Sequence, residues 1–171
     1  MSKDNKVELS INQITFDQNR VTKRYFGPGA MHRWQTEKYV LSFGKGQLPV
    51  PPLIDNENEA EILMEKISGT CVENIIDINN SQEIFQTIGQ TLKKIHEFPA
   101  IKMKDSIPGN GLSLIHGDFS ILNLFLDQSS KPEITILDWE WAHLGEPVED
   151  LAWMEWSIRM NYGKFIKELP F

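Results

Sequence analysis

Two apolar runs late in the chain, Leu124–Leu126 and Ile134–Leu137, are too short for helices and stand only seven residues apart. The residues between them, Asp127-Gln128-Ser129-Ser130-Lys131-Pro132-Glu133, are polar and turn-forming, so the pair reads as an antiparallel hairpin. That topology constrains what lies at its open end. Asn123 enters the first strand and Asp138 leaves the second, which sets the two side by side; Asp118, five residues before Asn123, lies on the loop leading in. Two carboxylates and an amide therefore converge. Taken singly, each of the three also suits a turn or a cap, but the whole arrangement points to chemistry. Carboxylate and amide oxygens are ligands for a hard cation such as Mg²⁺, which takes only one or two protein carboxylates. The third group is then free to orient or deprotonate a hydroxyl.

The remaining chain organises around this hairpin. Val7 to Phe26 alternates and is rich in β-branched residues, with the turn residues Asp17-Gln18-Asn19 between two runs, so a hairpin is expected there as well. His32 to Phe43 follows a helical pattern closed by Gly44. Leu48-Pro49-Val50-Pro51-Pro52 is an extended connector, because each proline pushes its predecessor out of the helical region. Short strands are expected at Leu53-Ile54 and Glu61 to Ile67, then the turn Ser68-Gly69-Thr70. Gln82 to Phe98 is the clearest helix: Ile84, Phe85, Ile88, Leu92 and Ile95 share one face, and Pro99 ends it. Leu112 to Ile115 is a further short strand, and a last helix runs from about Val148 to Met160. Strands and helices are grouped, not alternated as βαβ units, which is α+β organisation.

Charge is unevenly distributed. Residues 1–50 carry eight basic and four acidic side chains, a net +4 in a chain whose total is 17 − 24 = −7. Pro132 to Ile158 has no Lys or Arg but seven carboxylates and four of the five Trp. A basic front suits an anion and an acidic rear a cation, although solvated acidic surface is the simpler account of the rear. The overall acidity disfavours nucleic acid as a partner. With 171 residues, 40% of them apolar, the chain can build a core as one domain or two small lobes. No apolar run reaches the ~18 residues of a membrane span, and Met1-Ser2-Lys3-Asp4-Asn5-Lys6 leads into no signal core. A single cysteine, Cys71, fits a reducing compartment, so a cytoplasmic location is expected.

His116-Gly117-Asp118, four residues, Asn123, and then Ile136-Leu137-Asp138-Trp139-Glu140 resemble the aminoglycoside phosphotransferase and choline kinase group of small-molecule kinases. Gly145-Glu146-Pro147-Val148-Glu149-Asp150-Leu151-Ala152 resembles the segment that follows the metal-binding aspartate in that group. The resemblance implies a protein-kinase-like two-lobed α+β fold with a reduced N-lobe (residues 1–68, nucleotide side) and a truncated helical C-lobe (residues 69–171). It implies Asp118 as catalytic base, Asn123 and Asp138 as Mg²⁺ ligands, and ATP or GTP as phosphoryl donor. His116 and Asp150 would be mainly architectural. A kinase lobe also needs a strand lysine for the phosphates and a helix carboxylate to hold it. Lys23 lies in a strand pattern, and Glu37, fourteen residues on, lies in the next helix. Ile62-Leu63-Met64-Glu65-Lys66-Ile67 resembles the strand and hinge of these kinases, with Met64 abutting the base and backbone around Glu65 to Ile67 pairing with it.

Two departures stand out. Asp17-Gln18-Asn19 occupies the place of the Gly-rich turn that covers the phosphates, and only its exposed backbone N–H groups could serve instead. The chain also ends at Phe171, where the group usually continues with helices that shape the acceptor pocket. The leading expectation is thus a small-molecule phosphotransferase. Its partner would be a hydroxylated acceptor, cationic if the acidic, Trp-rich stretch from Trp139 to Trp156 receives it, as an amino sugar or amino alcohol would be. The competing expectation is a non-catalytic, kinase-like remnant that binds nucleotide or serves as a scaffold. A shortened chain with exposed apolar surface would also tend to form a homodimer.

Overall fold

The computed structural model describes residues 12–54, 57–77, 79–127 and 133–166. The front is a four-stranded antiparallel sheet in the order β1-β2-β4-β3, formed by Asn12–Phe16 (β1), Arg20–Tyr25 (β2), Leu53–Ile54 (β3) and Glu61–Glu65 (β4). The expected beginning of the first strand at Val7, with Leu9 and Ile11, lies outside the described residues. The register sets Val21 opposite Met64 and Lys23 opposite Ile62. Lys23 is thereby placed on the same strand face as Tyr25, and both are buried, while Arg24 turns out to an exposed position and pairs with Glu61.

Helix α1 (Ala30–Gly44) crosses behind this sheet, starting two residues before the expected His32 because Gly27 and Gly29, both at positive φ, make the sharp entry. The proline-rich connector then runs extended to the rear. Its Pro49 carbonyl accepts the Ile136 N–H at 2.7 Å, and its Pro52 carbonyl accepts the Glu65 N–H at 2.9 Å, so it is stitched to both halves.

The rear holds a three-stranded sheet, order β5-β7-β8, made of Thr70–Cys71 (β5), Leu124–Asp127 (β7) and Glu133–Ile136 (β8). The expected hairpin is present, with Leu124 opposite Ile136; residues 128–132 of its loop lie outside the described residues. Thr70, expected in a turn, opens a strand instead, paired with Leu126. Gly69 permits this: at φ +103°, a Cβ there would meet the Leu126 carbonyl at 2.7 Å. The strand β4 likewise ends at Glu65, two residues before the expected Ile67.

Helix α2 (Ser81–His96) buries Ile84, Ile88, Leu92 and Ile95 as one stripe and stops before Pro99. Ser113–Ile115 (β6) pairs with His143–Gly145 (β9), and α3 (Val148–Ile166) continues past the expected Met160. A single cluster of buried side chains runs from Tyr25, Val40 and Leu41 at the front to Leu114, Leu124, Ile136 and Trp139 at the rear. Of the four Trp in the acidic rear, Trp139 alone is buried; Trp141, Trp153 and Trp156 are exposed. Among the described residues no helix is long and apolar enough to cross a membrane.

Two glycines should respond with opposite sign to the same change. Gly89 is exposed within α2 with nothing within 4 Å of an added Cβ, so Gly89→Ala is expected to stabilise by about 0.5–1 kcal/mol. Gly109 has φ +97°, and a Cβ there would lie 2.1 Å from the Leu144 carbonyl; Gly109→Ala is expected to destabilise by about 1–3 kcal/mol. Urea unfolding of the two variants beside the unmodified protein measures both.

Candidate active site

The site begins with a buried ammonium. Lys23 is 4% exposed, and burial alone would lower its pKa; the carboxylates of Glu37, Asp138 and Glu140 outweigh that and raise it, so the side chain is firmly protonated. Its Nζ lies 2.6 Å from Glu37 Oε2 and 3.4 Å from Glu140 Oε2, and it donates a short hydrogen bond to Asp138 Oδ1. The Tyr25 hydroxyl donates to the same Glu37 oxygen, and burial together with that carboxylate pushes the phenol pKa up. The expected Lys23–Glu37 pair is therefore formed, across fourteen residues and two elements.

Glu37, Asp138 and Glu140 present oxygens within 4.8 Å of one another, a spacing suited to a cation. The cation among them is the lysine. Arg33 contacts Glu140 at 3.1 Å, so two cations and three carboxyl groups share the cluster, and burial pushes the Glu37 carboxyl pKa up against the opposing pull of Lys23. Asp138 is the member open to solvent, with a side chain 35% exposed. It also sits in the left-handed region (φ 67°, ψ 58°), a conformation costing a non-glycine residue about 1–3 kcal/mol. That backbone turns the chain from β8 into the Trp139–Trp141 turn.

The loop bearing Asp118 is held from behind. Asp150, fully buried at the start of α3, accepts the N–H groups of His116 (3.1 Å, Oδ2) and Gly117 (3.1 Å, Oδ1). It also meets His96 Nε2 at 3.0 Å. His116 Nδ1 accepts the Asp118 N–H at 3.2 Å, which leaves Nε2 to donate to the Leu137 carbonyl at 3.0 Å. Burial lowers the His116 pKa against the opposing pull of Asp150, and the neutral tautomer is what these two bonds require. Gly117 has φ +81°, and a Cβ there would lie 2.3 Å from the Trp141 carbonyl.

Asp118 presents both oxygens to donors. Asn123 Nδ2 reaches Oδ2 at 3.0 Å and the Asp118 carbonyl at 2.9 Å, while Trp153 Nε1 reaches Oδ1 at 2.7 Å. With its amide nitrogen on Asp118, Asn123 keeps its side-chain oxygen for a cation. The Asn123 carbonyl receives the Leu137 N–H at 2.9 Å, so the amide and Asp138 are set at the open end of the hairpin as expected. One amide oxygen and one half-exposed carboxylate are a donor set that fits Mg²⁺.

A cleft of about 430 Å³ opens between the front sheet and the hairpin. Ile14, Phe16 and Val21 wall it from the front, Leu122, Phe125 and Leu137 from the rear, with Lys23, Asn123 and Asp138 also in its lining. The expected hinge residues Met64, Glu65 and Ile67 line it too. Here Pro52 matters: it accepts the Glu65 N–H but has no N–H to return, so the Glu65 carbonyl is left for another donor. A second pocket of about 140 Å³ contains Asp118, Leu122, Asn123, Trp153 and Trp156. The two cavities meet at Leu122 and Asn123.

The tip between β1 and β2 differs from expectation. Asp17 Oδ1 accepts the N–H groups of Asn19 (2.9 Å) and Arg20 (2.8 Å), so these are spent inside the turn and not presented to an anion.

Comparisons with known proteins bear on the fold. Residues 103–168 match the model of the phosphotransferase enzyme family. The structure superposes on the GDP and kanamycin complex of APH(2")-IIia with a TM-score of 0.71 and 13% identity, covering 89% of this chain and 70% of that one. This chain has the aminoglycoside phosphotransferase fold. The aminoglycoside phosphotransferase APH(3'')-Id from Streptomyces rimosus gives a TM-score of 0.65 at 13% identity, over 91% of this chain and 80% of that one. A thermostable mutant of APH(4)-Ia with ADP and hygromycin B gives 0.58 at 12% identity, over 92% and 75%. The comparison with curated proteins gives no match. The protein-kinase-like α+β fold inferred from the two motifs is thus the fold observed.

Four participants were not legible in the sequence: Arg33, Glu140 as a partner of Lys23, Trp153 as a partner of Asp118, and Asp17 as a cap of its own turn. Trp153 lies thirty-five residues from Asp118, and no local spacing links them.

His116 gives the site an acid limit. Its folded pKa is lowered, so below about 6.5 the unfolded chain binds a proton that the folded chain refuses. Stability should then fall with decreasing pH by up to ~1.4 kcal/mol per unit, and be unaffected above that range. In His116→Gln this component disappears. Urea midpoints at pH 7.5 and 5.5 should show the unmodified protein losing more between the two pH values than the variant.

Proposed function

We propose that this chain is a phosphotransferase that moves the γ-phosphoryl group of ATP or GTP to a hydroxyl of a small molecule. The observation that carries this reading is the meeting of the two cavities at Asn123. The larger has Lys23 and Asp138 in its lining, the smaller has Asp118. Met64, Glu65 and Ile67 would receive the base, with the free Glu65 carbonyl as acceptor and nonpolar contact from Phe16 and Phe125. Lys23, held by Glu37, would balance phosphate charge; Asn123 and Asp138 would hold Mg²⁺, which when bound shields the phosphates. Residues 1–68 form the nucleotide side and residues 69–171 the catalytic side in this reading.

Asp118 would accept the proton of the acceptor hydroxyl as its oxygen bonds to the γ-phosphorus. The bond from that phosphorus to the β–γ bridging oxygen breaks, and the nucleoside diphosphate leaves. For the acceptor to reach Asp118, it must share or displace the Trp153 indole N–H. The exposed faces of Trp153 and Trp156, centroids 5.0 Å apart, beside a carboxylate suit a cationic acceptor such as an amino sugar or amino alcohol. Kanamycin and hygromycin B, bound by two of the structural neighbours, are in keeping with such a class. In the same reading the protein works in the cytoplasm, and a homodimer would cover the exposed Val148 and Leu151 of α3.

A non-catalytic nucleotide-binding or scaffold protein is the second reading, favoured by the closed Asp17 turn. Turnover separates the two. Asp118→Asn is expected to retain Mg²⁺-dependent stabilisation by nucleotide and to lose ~10²–10⁴-fold in phosphoryl transfer to a panel of amino sugars and amino alcohols. Nucleotide-induced melting shifts without any turnover in the unmodified protein would favour the scaffold. No shift at millimolar ATP or GTP would remove both readings.

A further inference from the structure

Helix α1 buries a mixed stripe, polar at its start and apolar further on. Its buried residues begin with Arg33, Thr36 and Glu37; only then come Val40 and Leu41. Its N-cap is Gly29, with no side-chain cap. It packs mainly on the Trp139–Trp141 turn that follows Asp138, more than on any strand of its own sheet. In the half that carries Glu37, partly buried Ala30 and Trp34 meet the core, Trp34 Nε1 donates to the Glu61 carbonyl at 2.9 Å, and Lys23 and Tyr25 bond Glu37.

A further set of directional contacts, from three front elements, meets at one atom. Glu140 Oε2 accepts Asn12 Nδ2 at 2.7 Å from β1 and Arg33 Nη1 at 3.1 Å from α1, and lies 3.4 Å from Lys23 Nζ on β2. Arg33 also donates to the Asn12 side-chain oxygen at 2.9 Å and to the Phe26 carbonyl at 2.8 Å. Arg33 and Glu140 are 3% and 7% exposed. We infer that Glu140 is a positioning residue: through one carboxylate oxygen it gathers β1, β2 and α1 onto the segment bearing Asp138, and so sets the spacing of Lys23, Glu37 and Asp138. This rests on the phosphotransferase reading for its consequence, the holding of nucleotide, but not for the geometry itself.

A buried ion pair can often be exchanged for apolar residues without loss of stability, whereas removing one partner strands the other. Stability and positioning are therefore separable. Glu140→Gln keeps the shape and removes the charge; Arg33→Met/Glu140→Met removes both charges and is expected to fold even if the single change does not. Hydrogen exchange on the ligand-free proteins should show α1 amides exchanging at least ~10-fold faster than in the unmodified protein, with α2 unchanged. ADP with Mg²⁺ should bind ~10-fold or more weakly to both variants, including the double variant at an unchanged melting temperature. Unchanged α1 exchange together with ADP affinity within about twofold in the double variant overturns the inference. If the unmodified protein binds no ADP, the nucleotide reading falls separately, and exchange in α1 alone upholds or overturns the placement of the helix by Glu140.

Discussion

An ammonium group removed from water must be given its charge back by neighbours, and Lys23 obtains this from three carboxylates on two different segments. That single requirement joins β2, α1 and the chain after β8. Without compensation, burial would drive the lysine neutral; with it, the lysine is protonated and its strand, its helix partner and Asp138 are fixed together. Of the three carboxylates around the lysine, Asp138 is the one whose side chain is open to solvent, and it lines the cleft.

A second buried carboxylate does the corresponding work behind the loop that carries Asp118. Asp150 accepts two consecutive backbone N–H groups and contacts His96, which orients the loop without touching the cleft. His116 passes that order on to Asp118 and to Leu137, one residue before Asp138. The rigid frame makes tolerable the positive φ at Asp138, while Gly117 adopts its own positive φ without a side-chain clash. Backbone strain is stored at Asp138, and buried hydrogen bonds offset it.

A grip on an anion here would differ in kind from a backbone cradle. Asp17 takes up the Asn19 and Arg20 amides of the β1–β2 turn, so under the phosphotransferase reading attraction for phosphate would come from the Lys23 charge and from a cation held by Asn123 and Asp138. The fold is shared with aminoglycoside phosphotransferases at 12–13% identity, a level at which few individual side chains persist. In this chain a hairpin, a helix carboxylate and a strand lysine are set around one cleft.

Much of this was legible in the residues themselves. The period-2 pattern of β2, the stripe of α2, the prolines of the connector and the hairpin spacing between Asn123 and Asp138 are local facts, governed by backbone sterics and side-chain alternation. The extent of β4, the conversion of Thr70 from turn to strand and the use of Asp17 as a cap depended on which partner was within hydrogen-bonding reach. Charge compensation is longer in range still. Glu140 reads locally as one more acid in an acidic stretch, and Trp153 as one more aromatic on a helix. Only the tertiary structure decided that one would meet three front elements and the other the Asp118 carboxylate, because partners thirty-five to more than a hundred residues apart are chosen by burial and geometry, which no local pattern encodes.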